Sequence, residues 1–128
     1  MEMEQPDPRF VQAVKLFNQQ EFFTCHDVLE EIWSETMSNE REFLQGLIHA
    51  AVALSHFGDG NLGGARRMHD SAIRYLTPYG DVCRGIDLRR FRADFDGCFE
   101  SLLGTHTTYP AGVHLDETRI PKLSPPRE

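Results

Sequence analysis

The sequence predicts an all-α fold: a compact antiparallel bundle of about five helices, closed by an extended C-terminal tail. Three observations carry this. Apolar residues recur at spacings of three and four through residue 103. Residues 43–58 form a run without one charged side chain, read as a central buried helix because it is too short to span a membrane and contains Gln45, His49 and His56. The links between periodic segments are short, and no convincing pair of alternating strands is present. Residues 1–103 are therefore expected to form a single helical-bundle domain, and residues 104–128 an extended, Pro-containing tail that is partly docked.

Asp7 is suited to cap a first helix with Pro8 at its first position, and Phe10, Val11, Val14 and Phe17 follow at helical spacing. Asn18, Gln19 and Gln20 break it. The second helix is expected over about 21–35, closed by Ser38 and Asn39. Asn39 and Glu42 have the spacing of a capping box for the third helix, which Gly58, Asp59 and Gly60 end. Asn61 can cap a fourth helix with Leu62, Ala65, His69, Ala72, Ile73 and Leu76 on its inner side, stopped by Thr77, Pro78, Tyr79 and Gly80. Asp87 can cap a fifth, whose core face is Leu88, Phe91, Phe95, Cys98, Phe99 and Leu102. Beyond Gly104, Pro110, Pro121, Pro125 and Pro126 favour extended chain, with Val113, Leu115, Ile120 and Leu123 available to dock on the bundle.

A chain of 128 residues with a formal charge of −7 argues against general nucleic-acid binding. The acidic N-terminus has no apolar signal region, and three scattered cysteines suit a reducing compartment, so a cytoplasmic protein without a membrane partner is expected. Cys25, Cys83 and Cys98 form no metal-binding pair and read as small buried hydrophobes.

The chemistry concentrates in residues 22–33. On a helix, Phe22, His26, Leu29, Glu30 and Trp33 fall in one sector, with Asp27 and Glu31 toward solvent. A histidine and a carboxylate within an apolar stripe need a partner. On the third helix Gln45, Ile48, His49, Val52 and His56 form a second stripe. If the stripes face each other, His26, Glu30, Gln45 and His49 converge. Imidazole nitrogens and a carboxylate suit a divalent metal such as Zn, Fe or Mn, with His26, Glu30 and His49 as ligands, Gln45 orienting them and Trp33 packing beside them. A metal-activated water would make the site hydrolytic. The zincin motif and the paired Glu-x-x-His motifs of di-iron bundles are both missing. A self-satisfied buried network accounts for the same residues without chemistry, and metal-free acid–base work by a His26–Glu30 pair is a further reading. No nucleophile and no phosphate-binding loop is evident: the glycine-rich stretch 58–64 lacks the Lys-Ser/Thr ending. No catalytic residue is assigned, and whether the protein is an enzyme stays open.

Charge is uneven. Residues 1–42 hold ten acids and three bases, whereas residues 66–92 hold seven arginines against three acids. Arg66, Arg67 and Arg74 thus form a candidate patch for an acidic partner or a second copy of the chain, although a solvated helix face produces the same pattern.

The span from Phe17 through Leu76 resembles the DUF309 family of small helical proteins. The resemblance rests on His26, Glu30 and Trp33, matching His-x-x-x-Glu-x-x-Trp/Tyr, and on the block from Phe43 to His56 followed by Gly60, Asn61, Gly64 and Ala65. It implies a compact all-α bundle of unknown function, and metal binding by His26 and Glu30. The expected function is a metal or small-ligand site centred on that motif. The alternative is a non-enzymatic interaction or homo-oligomeric module in which the network is purely structural.

Overall fold

The computed structural model describes residues 7–104 and 108–126. The acidic N-terminus before Asp7 and the parts of the expected tail at 105–107 and 127–128 lie outside the described residues. The architecture is all-α, with helices α1 (Pro8–Asn18), α2 (Phe22–Glu35), α3 (Arg41–Gly58), α4 (Leu62–Leu76) and α5 (Leu88–Cys98). Three starts follow the capping logic of the sequence. The Asp7 carboxylate accepts from the Arg9 N–H at 2.9 Å ahead of Pro8. Asn61 Oδ1 accepts from Gly64 N–H at 3.0 Å, and Asp87 Oδ1 from Arg90 N–H at 3.0 Å.

The core is built around α3, which packs most extensively on α4 and then on α2, while α1 lies on α2. Phe43, Leu44, Leu47, Ala50, Ala51 and Ala53 have no exposure at all, so α3 is surrounded over most of its circumference. Gly46 lets α3 and α4 approach: a Cβ there would lie 2.7 Å from Leu76 Cγ and Cδ2. The backbone of α5 stays farther from the other helices and reaches them through aromatic rings. Phe91 meets Phe17 at 5.7 Å between centroids, and Phe99 meets Phe57 at 5.0 Å.

Two local expectations are corrected. The capping box of Asn39 and Glu42 does not form. Glu40 occupies the cap position of α3 without a side-chain cap bond, because its carboxylate is drawn to Arg84 Nε at 2.7 Å. Asn39 instead accepts from the Tyr79 hydroxyl through its carbonyl oxygen. A strand pair also exists: β1 (Val82–Cys83) and β2 (Ile86–Asp87) are antiparallel, with Cys83 opposite Ile86. The two-residue loop has φ +48° at Arg84 and +76° at Gly85, both left-handed as a hairpin turn of this length requires.

The tail docks. Ile120, Pro121 and Leu123 are buried, and Val113 and Leu115 pack against the core edge. Asn18 binds both backbone groups of Leu123, its amide donating to the carbonyl at 2.8 Å and its Oδ1 accepting from the N–H at 2.8 Å. Lys122 Nζ reaches the Asn18 carbonyl at 2.7 Å, and Ser124 O accepts from Asp87 N–H at 2.8 Å. Among the described residues no helix is long and apolar enough to cross a membrane.

Candidate metal and ligand site

α2 buries Phe22, Cys25, Leu29 and Ile32, so that of the sector predicted from the sequence Phe22 and Leu29 are buried and His26, Glu30 and Trp33 are not. It is wedged between α1 and α3, and Cys25 faces α1, its thiol lying 3.3 Å from the Ala13 carbonyl. The helix is thereby rotated so that His26 and Trp33 flank the buried stripe and Glu30 is exposed. His26 Nε2 lies 3.0 Å from Glu30 Oε1, one helical turn on. Asp27 Oδ1 comes within 3.3 Å of Nδ1, but off the hydrogen-bonding direction, so this buried nitrogen has no hydrogen-bond partner. One donor atom each from His26, Asp27 and Glu30 lie within 4.8 Å of one another, the spacing of a small cation site.

His26 also lines a pocket of about 360 Å³ between α2 and α3. Its walls are Phe22, Phe23, Ala51 and Val52, and its polar end is Ser55, His56 and Asp59. A second groove of about 350 Å³ shares Phe22, Phe23, Ser55 and Asp59 and runs on to Leu115 and Ile120 of the tail. Phe23 lines both and is 72% exposed, its ring 6.0 Å from that of His26.

Gln45 and His49 do not join this group. His49 Nε2 lies 2.7 Å from the Gln45 amide nitrogen, and Nδ1 lies 2.7 Å from Ser71 Oγ on α4. With Gln45 donating to Nε2, Nδ1 carries the proton and donates to Ser71. Burial lowers the His49 pKa, and the nearby Arg74 guanidinium lowers it further. The four residues expected to converge therefore form two separate polar groups, one on α2 and one between α3 and α4. The face of Trp33 is covered by the Arg41 guanidinium, 3.8 Å from the ring centroid.

The expected arginine patch is smaller than the sequence implies. Arg66 Nε donates to Asp70 at 3.0 Å, while Nη1 donates to the carbonyls of Leu102 and Gly104 at 2.6 and 2.8 Å. It is a clamp between α4 and the segment after α5, leaving Arg67 and Arg74 exposed. Thiolate ligands are disfavoured, as burial pushes Cys25 up to about 12 and Cys98 up to about 11.

Sequence reasoning passed over Asp27, Ser71 and Asp96. Neighbouring residues on a helix point apart, so nothing in the sequence joins Asp27 to His26. Ser71 and Asp96 are partnered across helices, with no spacing to mark them. Asp96 serves His69, the most enclosed of the described histidines. His69 Nε2 lies 2.8 Å from Asp96 Oδ1 and Nδ1 lies 2.9 Å from Asp70 Oδ1. Its ring stacks on Phe95 and Phe99, at 4.9 and 5.0 Å between centroids. This cluster ties α4 to α5 and lines neither pocket beside His26.

Residues 10–68 match the profile of a family described as "Domain of unknown function (DUF309)". An uncharacterized protein of Aquifex aeolicus (strain VF5) is 33% identical over 95 residues, covering 73% of this chain and 27% of its own length. The uncharacterized protein YpuF of Bacillus subtilis (strain 168) is 40% identical over 57 residues, covering 44% of this chain and 33% of its own length. The matched segments thus span about a quarter to a third of these curated relatives.

Proposed function

Through residues 10–68 this chain belongs to the DUF309 family, and from that premise we propose that His26, Glu30 and Asp27 hold a divalent cation (Zn, Fe or Mn) at the mouth of the apolar pocket between α2 and α3. The observation that carries this reading is the donor set itself: three ligand atoms within 4.8 Å, beside a buried imidazole nitrogen with no hydrogen-bond partner. A buried polar atom left unsatisfied costs on the order of 1–3 kcal/mol, which a ligand or a small ring rotation into metal coordination relieves. Histidine nitrogen with two carboxylates suits the harder divalent transition metals. His49 keeps its bonds to Gln45 and Ser71, so Asp27 takes the third ligand position expected for His49. Gln45 supports the fold of the α3–α4 interface and not the cation.

Once bound, such an ion supplies Lewis-acid polarisation, the chemistry of a hydrolytic site. The chain's own contribution is a half-open setting. Glu30 and Asp27 face solvent, Phe22, Phe23 and Val52 accept the apolar part of a small molecule, and His56 and Asp59 lie at the far end to orient a polar group.

Phe23 favours a second reading. An aromatic side chain 72% exposed between two grooves also suits a partner-binding or homo-oligomeric module in which the His26–Glu30 pair is purely structural.

Elemental analysis separates the two. The untagged protein, purified without chelator, is compared with the Glu30→Gln variant, whose exposed position leaves folding intact. Near-stoichiometric metal in the wild type and a loss of at least about tenfold in affinity in the variant are expected, as one charged ligand is replaced by a neutral one. Metal-free protein that also fails to take up zinc or manganese in calorimetry sinks the cation reading and leaves the module.

A further inference from the structure

We propose a second ligand site, for a small molecule carrying a phosphate group, in the groove between α5 and the docked tail. This groove of about 590 Å³ lies in a part of the chain that the family profile does not reach. Its position is set by small residues on the α5 side, Ala93 and Gly97, and by the buried Ile120 and Pro121 beneath. Around it stand three cationic side chains, Arg90, Arg119 and Lys122, against one carboxylate, Asp94. In a chain of net charge −7, a concave surface with a positive surplus stands against the general field.

The donors are only partly occupied by the protein. Arg119 uses Nη1 for Glu100 at 2.8 Å, while Nη2 lies over Gly97, where a Cβ would come within 3.2 Å of it. Lys122 is held by a neutral partner, the Asn18 carbonyl, and an ammonium has two further N–H groups to offer. Arg90 stands 3.7 Å from Asp94, too far for a strong charge-assisted bond. Ser124 completes the lining. Two guanidinium forks and an ammonium around one concavity match the oxygens of a phosphate dianion, and the volume has room for the small molecule that carries it. The site is independent of the cation proposed on α2, as the two share no residue.

The test is an amide-resolved NMR titration with inorganic phosphate and with pyrophosphate, at ionic strength held constant with sodium chloride. Saturable shifts centred on Gly97, Thr118 and Ser124 are expected, with pyrophosphate binding more tightly. Arg90→Gln weakens binding at least about tenfold, the loss of one charge-assisted contact. Gly97→Ala weakens it as well, by crowding Arg119. Arg67→Gln, on the exposed face of α4, leaves it unchanged. Each variant's spectrum verifies its fold. Shifts that never saturate, or equal weakening by Arg67→Gln and Arg90→Gln, mean diffuse charge attraction and overturn the proposal.

Discussion

Replacing His69 in two ways separates the contribution of its ring from that of its carboxylate contacts. The side chain is 5% exposed and lies against two phenylalanine rings, so His69→Ala removes a buried ring where α5 meets α4. Large-to-small substitutions of buried rings cost about 3–5 kcal/mol, and the smaller imidazole sets the expectation at about 2–4 kcal/mol. His69→Phe keeps the stacking and removes both carboxylate contacts. Asp70 and Asp96 are 53% and 51% exposed in their side chains, so each regains water when its partner goes. Half-exposed pairs contribute about 0–1 kcal/mol each, and the expected loss for His69→Phe is therefore about 0–2 kcal/mol. Urea unfolding followed by the fluorescence of Trp33, the single tryptophan, gives both numbers at unchanged m-value. Equal losses in the two variants refute the reasoning, because they mean that the carboxylate pairs, and not the aromatic stack, hold α5 in place.

Two further outcomes follow from the α3–α4 interface. His49 has its pKa lowered by burial and by Arg74, from an ordinary value near 6.5. Below that value the unfolded chain takes up a proton that the folded chain resists, so stability is fully present above about pH 6.5 and falls on acidification toward the folded pKa. Unfolding midpoints of wild type and His49→Gln measured at about pH 7.5 and 5.5 should converge at the lower pH, and a constant gap contradicts the assignment. At Gly46, an added methyl meets Leu76, which has no exposure and no room to give. Overpacking costs about 1–3 kcal/mol and outweighs the roughly 0.5–1 kcal/mol that Ala gains over Gly in a helix. Gly46→Ala should lower the thermal midpoint, and a midpoint unchanged or raised is the contrary result.

What the sequence reveals of this fold follows from how local each cause is. The starts of α1, α4 and α5 are legible because Asp7, Asn61 and Asp87 each bond a backbone N–H two or three residues on. The start of α3 is not, because Glu40 is claimed by Arg84, distant in sequence. The hairpin is hidden because Arg84 takes a left-handed position normally marked by Asn, Asp or Gly. Its side chain is held by Glu40 and lies over the Phe10 ring at 5.3 Å, which no periodicity announces. At the site, the His26–Glu30 spacing is readable and their contact is present. The rotation of α2 is not, because placing polar His26 and aromatic Trp33 in the stripe draws the apparent face toward them, whereas α1 and α3 select Cys25 and Ile32. The partners of His49 and His69 are set by helix pairing, so Ser71 and Asp96 emerge only in three dimensions.

The clasp between Asn18 and Leu123 has a bearing on the order in which the molecule assembles. Its hydrogen bonds join residues 105 positions apart, whereas α1 with α2, α2 with α3 and α3 with α4 are neighbours along the chain. Closing so long a loop is entropically unfavourable until the intervening helices have condensed and brought its ends together. On the ribosome, residues 120–124 follow every helix into solution. Until then the end of α1 and the edge of β2 lack their partners, Leu123 and Ser124. Ile120 and Leu123 then act as a late seal, and the groove beside α5 comes into being only when that seal closes.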